Sequence, residues 1–250
     1  MSDLVTVADN GPLRLLRMNR PEKKNALTLA MYDAMAAAIE SAGADTALRC
    51  ILIAGTPEAF CAGNDIGDFV QMAAGGGGLG QPILRFLYAL ARSEKPLVAA
   101  VRRNAVGVGT TMLLHCDYVV AASNARLVTP FIGLGLVPEA ASSLIAPRLM
   151  GHARAFSLLV MGQPLTAEEA KAAGIVNAVT EPEMTEPEAM KAARAIAALP
   201  PESVRLSRRL MRGAPDQIIA RIDEEAVLFR QRLGSADARA AFEAFLTRKK

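Results

Sequence analysis

Apolar and polar positions alternate along residues 3–18 on either side of Asn10-Gly11, which predicts two short strands joined as a hairpin. The period then changes. Beyond Thr28, a residue suited to capping, MYDAMAAAIESAG carries Ala, Met and Ile at helical spacing and reaches Gly43, which predicts a helix. Three unbroken apolar runs follow, CILIAG (50–55), PLVAAV (96–101) and YVVAAS (118–123), each read as a buried strand. RFLYALARSEKP reads as a helix, NAVGVGTTMLLHCD as a glycine turn leading into an apolar helix, and RLVTP as a short fourth strand. This alternation through the first two-thirds of the chain predicts an α/β core. From Ser143 onward the pattern is helical only, through SLIAPRLMG, HARAFSLLVMG and TAEEAKAAG, with a break at IVNAVTEPEMTEPE before a long Ala/Arg/Leu-rich tail. The expected division is a core over residues 1–189 and a helical region over 190–250. QMAAGGGGLGQP is expected to be a mobile surface loop, because its glycine run costs too much backbone entropy for regular structure.

With 250 residues, 52% of them hydrophobic, the chain can build one sizeable core. Its net charge of +3 is spread thinly or gathered in RLSRRLMR and TRKK, and aromatic residues do not interleave with it. A nucleic-acid partner is therefore not expected. Cys50, Cys61 and Cys116 are odd in number and set in apolar segments, as reduced core thiols of a cytoplasmic protein would be. The N-terminus lacks the pattern of a signal peptide, and Arg102, Arg103, Asn104 and His115 interrupt the apolar segment 96–122, so no membrane association is expected.

Candidate chemistry is sparse. AFCAGND and NAVGVGTT each follow a buried strand and contain glycine, and first-turn N–H groups at such places can bind an anion or a polarised carbonyl. Neither turn matches GxGxxG or a P-loop, and GxSxG, HExxH, CxxC and metal-binding carboxylate clusters are all absent from the sequence. No metal or separate cofactor is expected. His115 reads as a satisfied core histidine, His152 as a surface or capping residue, and Asp65 and Asp68 as loop or cap residues. Glu139 is the one ionisable side chain in LVTPFIGLGLVPEAASSLIAP (127–147). Locally it reads as a helix-start acid, with Pro138 in the first helical turn and the carboxylate complementing the helix dipole.

Five segments in order resemble the crotonase family, the enoyl-CoA hydratase and isomerase superfamily: MNRPEKKNAL (18–27), AFCAGNDI (59–66), NAVGVGTTMLLHCDYVVAAS (104–123), LVTPFIGLGLVPEAASSLIAPRLMGHARA (127–155) and LTAEEAKAAGIVNAVT (165–180). The resemblance implies a spiral of ββα turns with a C-terminal helical trimerisation region, assembled as a homotrimer or a dimer of trimers. It implies a coenzyme A thioester as substrate. It also implies an oxyanion hole made by the backbone N–H groups of Asn64 and Val108. By the same resemblance Lys23, Lys24 and Ala26 fall where the nucleotide end of CoA binds, and Ala62, Asp65 and Ile66 line its adenine and pantetheine side. Phe131 and Leu134 are candidate walls of the acyl pocket.

Two departures narrow the reaction. The resemblance places the two hydratase glutamates at Thr111 and Phe131, so both carboxylates are missing. Glu139, in its P-E-A-A-S-S setting, is similar to the single acid/base of one branch of enoyl-CoA isomerases. The expected reaction is transfer of a double bond from the 3- to the 2-position of an enoyl-CoA, with the proton carried from C2 to C4. Three alternatives stay open at this point: enoyl-CoA hydration, thioester chemistry such as hydrolysis or dehalogenation, and silent acyl-CoA binding.

Overall fold

The computed structural model describes residues 4–65, 67–68 and 79–247. Its strands are β1 (Val5–Asn10), β2 (Leu13–Met18), β3 (Cys50–Ala54), β4 (Leu97–Val101), β5 (Asn104–Val106), β6 (Tyr118–Ala122), β7 (Arg126–Val128), β8 (Leu165–Thr166) and β9 (Ala178–Thr180). A six-stranded sheet runs in the order β1-β2-β3-β4-β6-β9, and a three-stranded sheet runs β5-β7-β8. β1 and β2 form the expected antiparallel hairpin, with Asn10 opposite Leu13 and Gly11 at φ 57° between them. Pairing from β2 through β9 in the larger sheet is parallel. The chain crosses from the large sheet to the small one at β4–β5 and again at β6–β7, and returns through helical segments each time. That repeat is the spiral of ββα turns.

The apolar runs explain themselves once both sheet faces are covered. Ile51 and Ile53 point into the main core, with Met31, Met35 and Phe86 from the helices Leu29–Ala44 and Gln81–Arg92. Their neighbours Cys50, Leu52 and Ala54 point the other way, onto Ala189, Ala193 and Ala197. These alanines lie four residues apart on the helix Thr185–Ala197 and so share one face, where small side chains let the helix lie close to the sheet. Thr28 caps the first helix as expected, its hydroxyl accepting from the Met31 amide at 3.3 Å.

Several expectations need correction. The region beyond Ser143 is not only helical, because β8 pairs with β7 and β9 pairs with β6. Strands of two and three residues are too short to leave a period in the sequence. NAV (104–106) is strand β5 rather than turn, and the apolar helix after it is one turn of α-helix, Val108–Thr111, tightening to a 3-10 turn at Met112–His115. The boundary expected at residue 190 falls inside the helix Thr185–Ala197, which belongs to the sheet's cover. Most of the glycine-rich loop expected to be mobile, Gly75–Gly78 included, lies outside the described residues.

After that helix come Pro201–Arg212, Asp216–Leu233 and Ala236–Thr247. Asp216–Leu233 buries Ile222, Glu225, Phe229 and Leu233 against the core. Among the described residues no helix is long and apolar enough to cross a membrane, and the three cysteines are free thiols.

Candidate active site

Both glycine turns become amide donors through the backbone pairing around them. The loop after β3 is fastened by Asn25, buried and left-handed at φ 57°, whose side-chain amide donates to the carbonyls of Ala59 (2.7 Å) and Phe60 (3.2 Å). Beyond it, Ala62 N–H donates to Lys24 O (3.0 Å), Leu27 N–H to Gly63 O (2.8 Å) and Asp65 N–H to Leu27 O (2.8 Å). That ladder skips the Asn64 amide, which has no acceptor among the described residues. The second turn begins at Gly107, with φ 54° and ψ −119°, a conformation that glycine adopts without steric cost. Val108 is the first residue of the following helix, and its N–H likewise has no acceptor among the described residues.

The two turns are held side by side by Cys61 N–H to Asn104 O (3.1 Å) and Val106 N–H to Cys61 O (2.9 Å). Gly109 permits that approach: a Cβ there would lie 2.8 Å from Cys61 Cβ and 2.9 Å from Cys61 O. A cavity of about 170 Å³ lies against them, lined by Ala62, Asn64, Gly107, Phe131 and Leu134, with Phe229 and Phe242 contributed by the last two helices.

Glu139 is 2% exposed. Its Oε1 accepts from the Thr111 hydroxyl at 2.5 Å, one helical turn beyond Val108. Burial pushes its pKa up to about 8; the Thr111 hydrogen bond opposes the rise and the nearby Glu225 carboxylate adds to it.

The local reading of Pro138-Glu139 as a helix start is wrong. The helix begins at Ser142, and Ala140 and Ala141 before it are both left-handed, at φ 61° and 55°. Left-handed alanine costs roughly 1–2 kcal/mol per residue, so tertiary bonds must hold it. They do: Ala140 O is 2.8 Å from His115 Nε2, and Ala141 N–H donates to Glu225 Oε2 at 2.6 Å. Burial lowers the His115 pKa to about 4, so the ring is neutral at neutral pH. Facing a carbonyl, its Nε2 carries the proton and donates.

The remaining expected residues divide. Phe131 and Leu134 line the cavity with Ala62 and Asn64. Lys23 and Lys24 are exposed on the adjoining turn and do not line it. Ala26 is half-buried and its carbonyl accepts from Arg20 (3.0 Å). Asp65 is tied to Arg20 at 2.7 Å; burial works against its charge, but the guanidinium and the Gly67 and Asp68 amides hold its carboxyl below the usual range. Ile66 lies outside the described residues. Asp68 does cap a helix, its carboxylate accepting from the Leu29 amide (3.0 Å).

Sequence reasoning missed three residues. Tyr32 donates its hydroxyl to the Asn64 side chain at 2.5 Å. Thr111 was noticed only as a missing acid. Glu225 gave one available signal: it shares the apolar face of its helix with Ile222 and Phe229, an unusual place for a carboxylate.

Residues 9–250 match the family described as Enoyl-CoA hydratase/isomerase. Enoyl-CoA delta isomerase 2 of Rattus norvegicus is 35% identical over 250 residues, 98% of this chain; the chain spans 64% of that longer protein. The 1,2-epoxyphenylacetyl-CoA isomerase of Escherichia coli strain K12 is 32% identical over 240 residues, 94% of this chain and 92% of that one. The structure of Pseudomonas aeruginosa OdaA superposes with a TM-score of 0.93 at 45% identity, covering 98% of this chain and 99% of that one. Agreement over nearly the whole length, in both sequence and fold, makes this chain a member of the enoyl-CoA hydratase/isomerase family, the crotonase superfamily of acyl-CoA enzymes.

Proposed function

We propose that the protein is an enoyl-CoA delta isomerase, converting a 3-enoyl-CoA thioester to the conjugated 2-enoyl-CoA. The observation that carries this reading is the buried pair Glu139–Thr111. One buried carboxyl bonds Thr111, one helical turn beyond the Val108 amide, and that partner is a hydroxyl at the position where the resemblance places a hydratase glutamate. The Asn64 and Val108 amides, without acceptors among the described residues, stabilise the enolate oxygen that forms when Glu139 takes the C2 proton. Glu139 then returns the proton at C4. A carboxyl raised to about 8 is a stronger base than a solvated one, which suits abstraction from a thioester-activated carbon. Phe131 puts an apolar ring at the other expected hydratase position, leaving no second acid there to activate water.

The shift is redox-neutral and uses no group beyond the CoA already in the substrate. In this reading Lys23, Lys24 and Ala26 meet the nucleotide end of CoA, and Asp65 acts by setting the loop rather than by touching the ligand. Leu206, Leu210 and Met211, exposed on Pro201–Arg212, support a homotrimer or dimer of trimers as the working assembly.

Incubation with 3-hexenoyl-CoA should give the 2-enoyl product without hydration, and Glu139→Gln should lower the rate on the order of 10³-fold. Rapid hydration of 2-hexenoyl-CoA would overturn the reading in favour of a hydratase. Thioester binding with no Glu139-dependent exchange of the C2 protons in deuterated water would leave only a binding protein.

A further inference from the structure

We infer that Glu225 and His115 are a pair of positioning residues that grip one peptide unit, Ala140–Ala141, from its two ends and thereby aim Glu139. This rests on the reading of Glu139 as the acid/base. The carbonyl of Ala140 and the N–H of Ala141 belong to the same peptide plane. His115 Nε2 takes the oxygen at 2.8 Å, and Glu225 Oε2 takes the N–H at 2.6 Å. A plane held at both ends cannot flip, and a flip here would turn the chain immediately after Glu139.

The grip is needed because the local sequence does not favour the conformation. Both residues are left-handed alanines, and no glycine or asparagine eases the turn. Glu225 does more than hold one amide: its Oε1 accepts from both the N–H (3.0 Å) and the hydroxyl (2.5 Å) of Ser143. It therefore caps the helix Ser142–Met150 from another element, at an end with no side-chain cap of its own. Arg221, one turn earlier on the Glu225 helix, donates to the same Ser143 hydroxyl at 3.1 Å. His115 is fixed in turn by Arg212, which donates to its backbone carbonyl. Both ends of the grip thus run to the C-terminal helices.

The prediction concerns turnover rather than binding. Asn64, Val108 and the lysine turn lie on other elements, so the thioester should bind normally while its proton transfer slows. Glu225→Gln keeps one oxygen for Ser143 but presents an amide group to the Ala141 N–H. With 3-hexenoyl-CoA, kcat should fall about tenfold or more with KM within about twofold. His115→Leu should do the same from the other end, and His115→Gln, whose amide can still donate to Ala140 O, should recover most of the loss. Since both ends act on one plane, Glu225→Gln with His115→Leu should lose little more than the worse single variant.

The pH profile gives a further readout. The titratable groups around the grip are Glu139, Cys61, Tyr32, Glu225 and His115, with Arg221 beyond Ser143 and Asp117, Arg208 and Arg212 around the histidine. Removing the Glu225 charge should move the acidic limb of kcat/KM to lower pH. Circular dichroism and melting identify any variant that does not fold; if Glu225→Gln fails, the two His115 variants carry the test. An inactive Glu139→Gln beside a Glu225→Gln or folded His115→Leu enzyme with kcat within twofold of wild type would overturn the positioning and leave Glu139 standing. An active Glu139→Gln enzyme would overturn both.

Discussion

The two halves of the site are built by opposite means. The proposed oxyanion half is backbone: two N–H groups on strand-ending turns, set by main-chain pairing at Leu27, Gly63, Cys61 and Val106 and by the absence of a Cβ at Gly109. The proposed acid/base half is one side chain on an irregular segment, held by a hydroxyl, an imidazole and a carboxylate from separate elements. The first half should tolerate side-chain replacement but not added volume. The second should fail by loss of single atoms, some far along the chain.

Among substitutions that leave Glu139 in place, the largest effect on rate should come from volume on the backbone half. Gly109→Ala forces its Cβ onto Cys61, which overpacking values put at roughly 1–3 kcal/mol of stability. Because the same contact sets the separation of the two amides, kcat should drop on the order of 100-fold, to be measured with stability on the same preparation. An active Gly109→Ala enzyme would dissolve the contrast.

Loss of a single donor tests the other half. In the proposed reaction Glu139 must be ionised to take the C2 proton, so kcat/KM should rise with pH through about 8. The Thr111 hydrogen bond lowers that pKa, so Thr111→Val should move the limb to higher pH and cost about tenfold in rate at pH 7. A limb that stays put would mean the hydroxyl does not bear on the charge.

Stability should register the same carboxyl. Its folded-state pKa is raised from 4.5 to about 8, so the folded chain keeps a proton that the unfolded chain releases. The stability from this linkage is complete below about pH 4.5 and is lost as pH rises through about 8. Relative to Glu139→Gln, the wild type should therefore lose on the order of 5 kcal/mol between those limits, read from denaturant unfolding.

The smallest effect should come from Asn64→Ala. Its side chain bonds Tyr32, while the catalytic group in this reading is its main-chain N–H. Losing the Tyr32 bond should cost about 1 kcal/mol with kcat within roughly threefold. A large kcat loss would bring that side chain into the chemistry.

The same contrast decides what could be read from the sequence. The hairpin at Asn10-Gly11, the strands CILIA and LVAAV and the Thr28 cap were legible because each rests on neighbours in the chain. The turns FCAGN and VGVG were legible for the same reason, and the resemblance identified their amides. β8 and β9 were not, since two or three residues acquire strand geometry only from partners on β7 and β6. The helix start was misplaced because Pro138 is compatible with both extended and helical backbone, and the left-handed alanines that postpone the helix to Ser142 are stabilised 25 and 84 residues away in sequence. Glu225 was hidden in the same way: its partners are mostly amides, which every residue has.

One consequence concerns the order in which the chain is made. Both amide turns lie within the first 111 residues, and the latest strand paired with them is β7, whose Val128 bonds Gly107 and Thr110, so they can be complete once that strand has been made. The Ala140–Ala141 plane waits for Glu225, 84 residues further along the chain. In the proposed mechanism a growing chain can thus present an enolate-stabilising surface before it holds a correctly aimed base, and proton transfer begins only when the helix that carries Glu225 has docked.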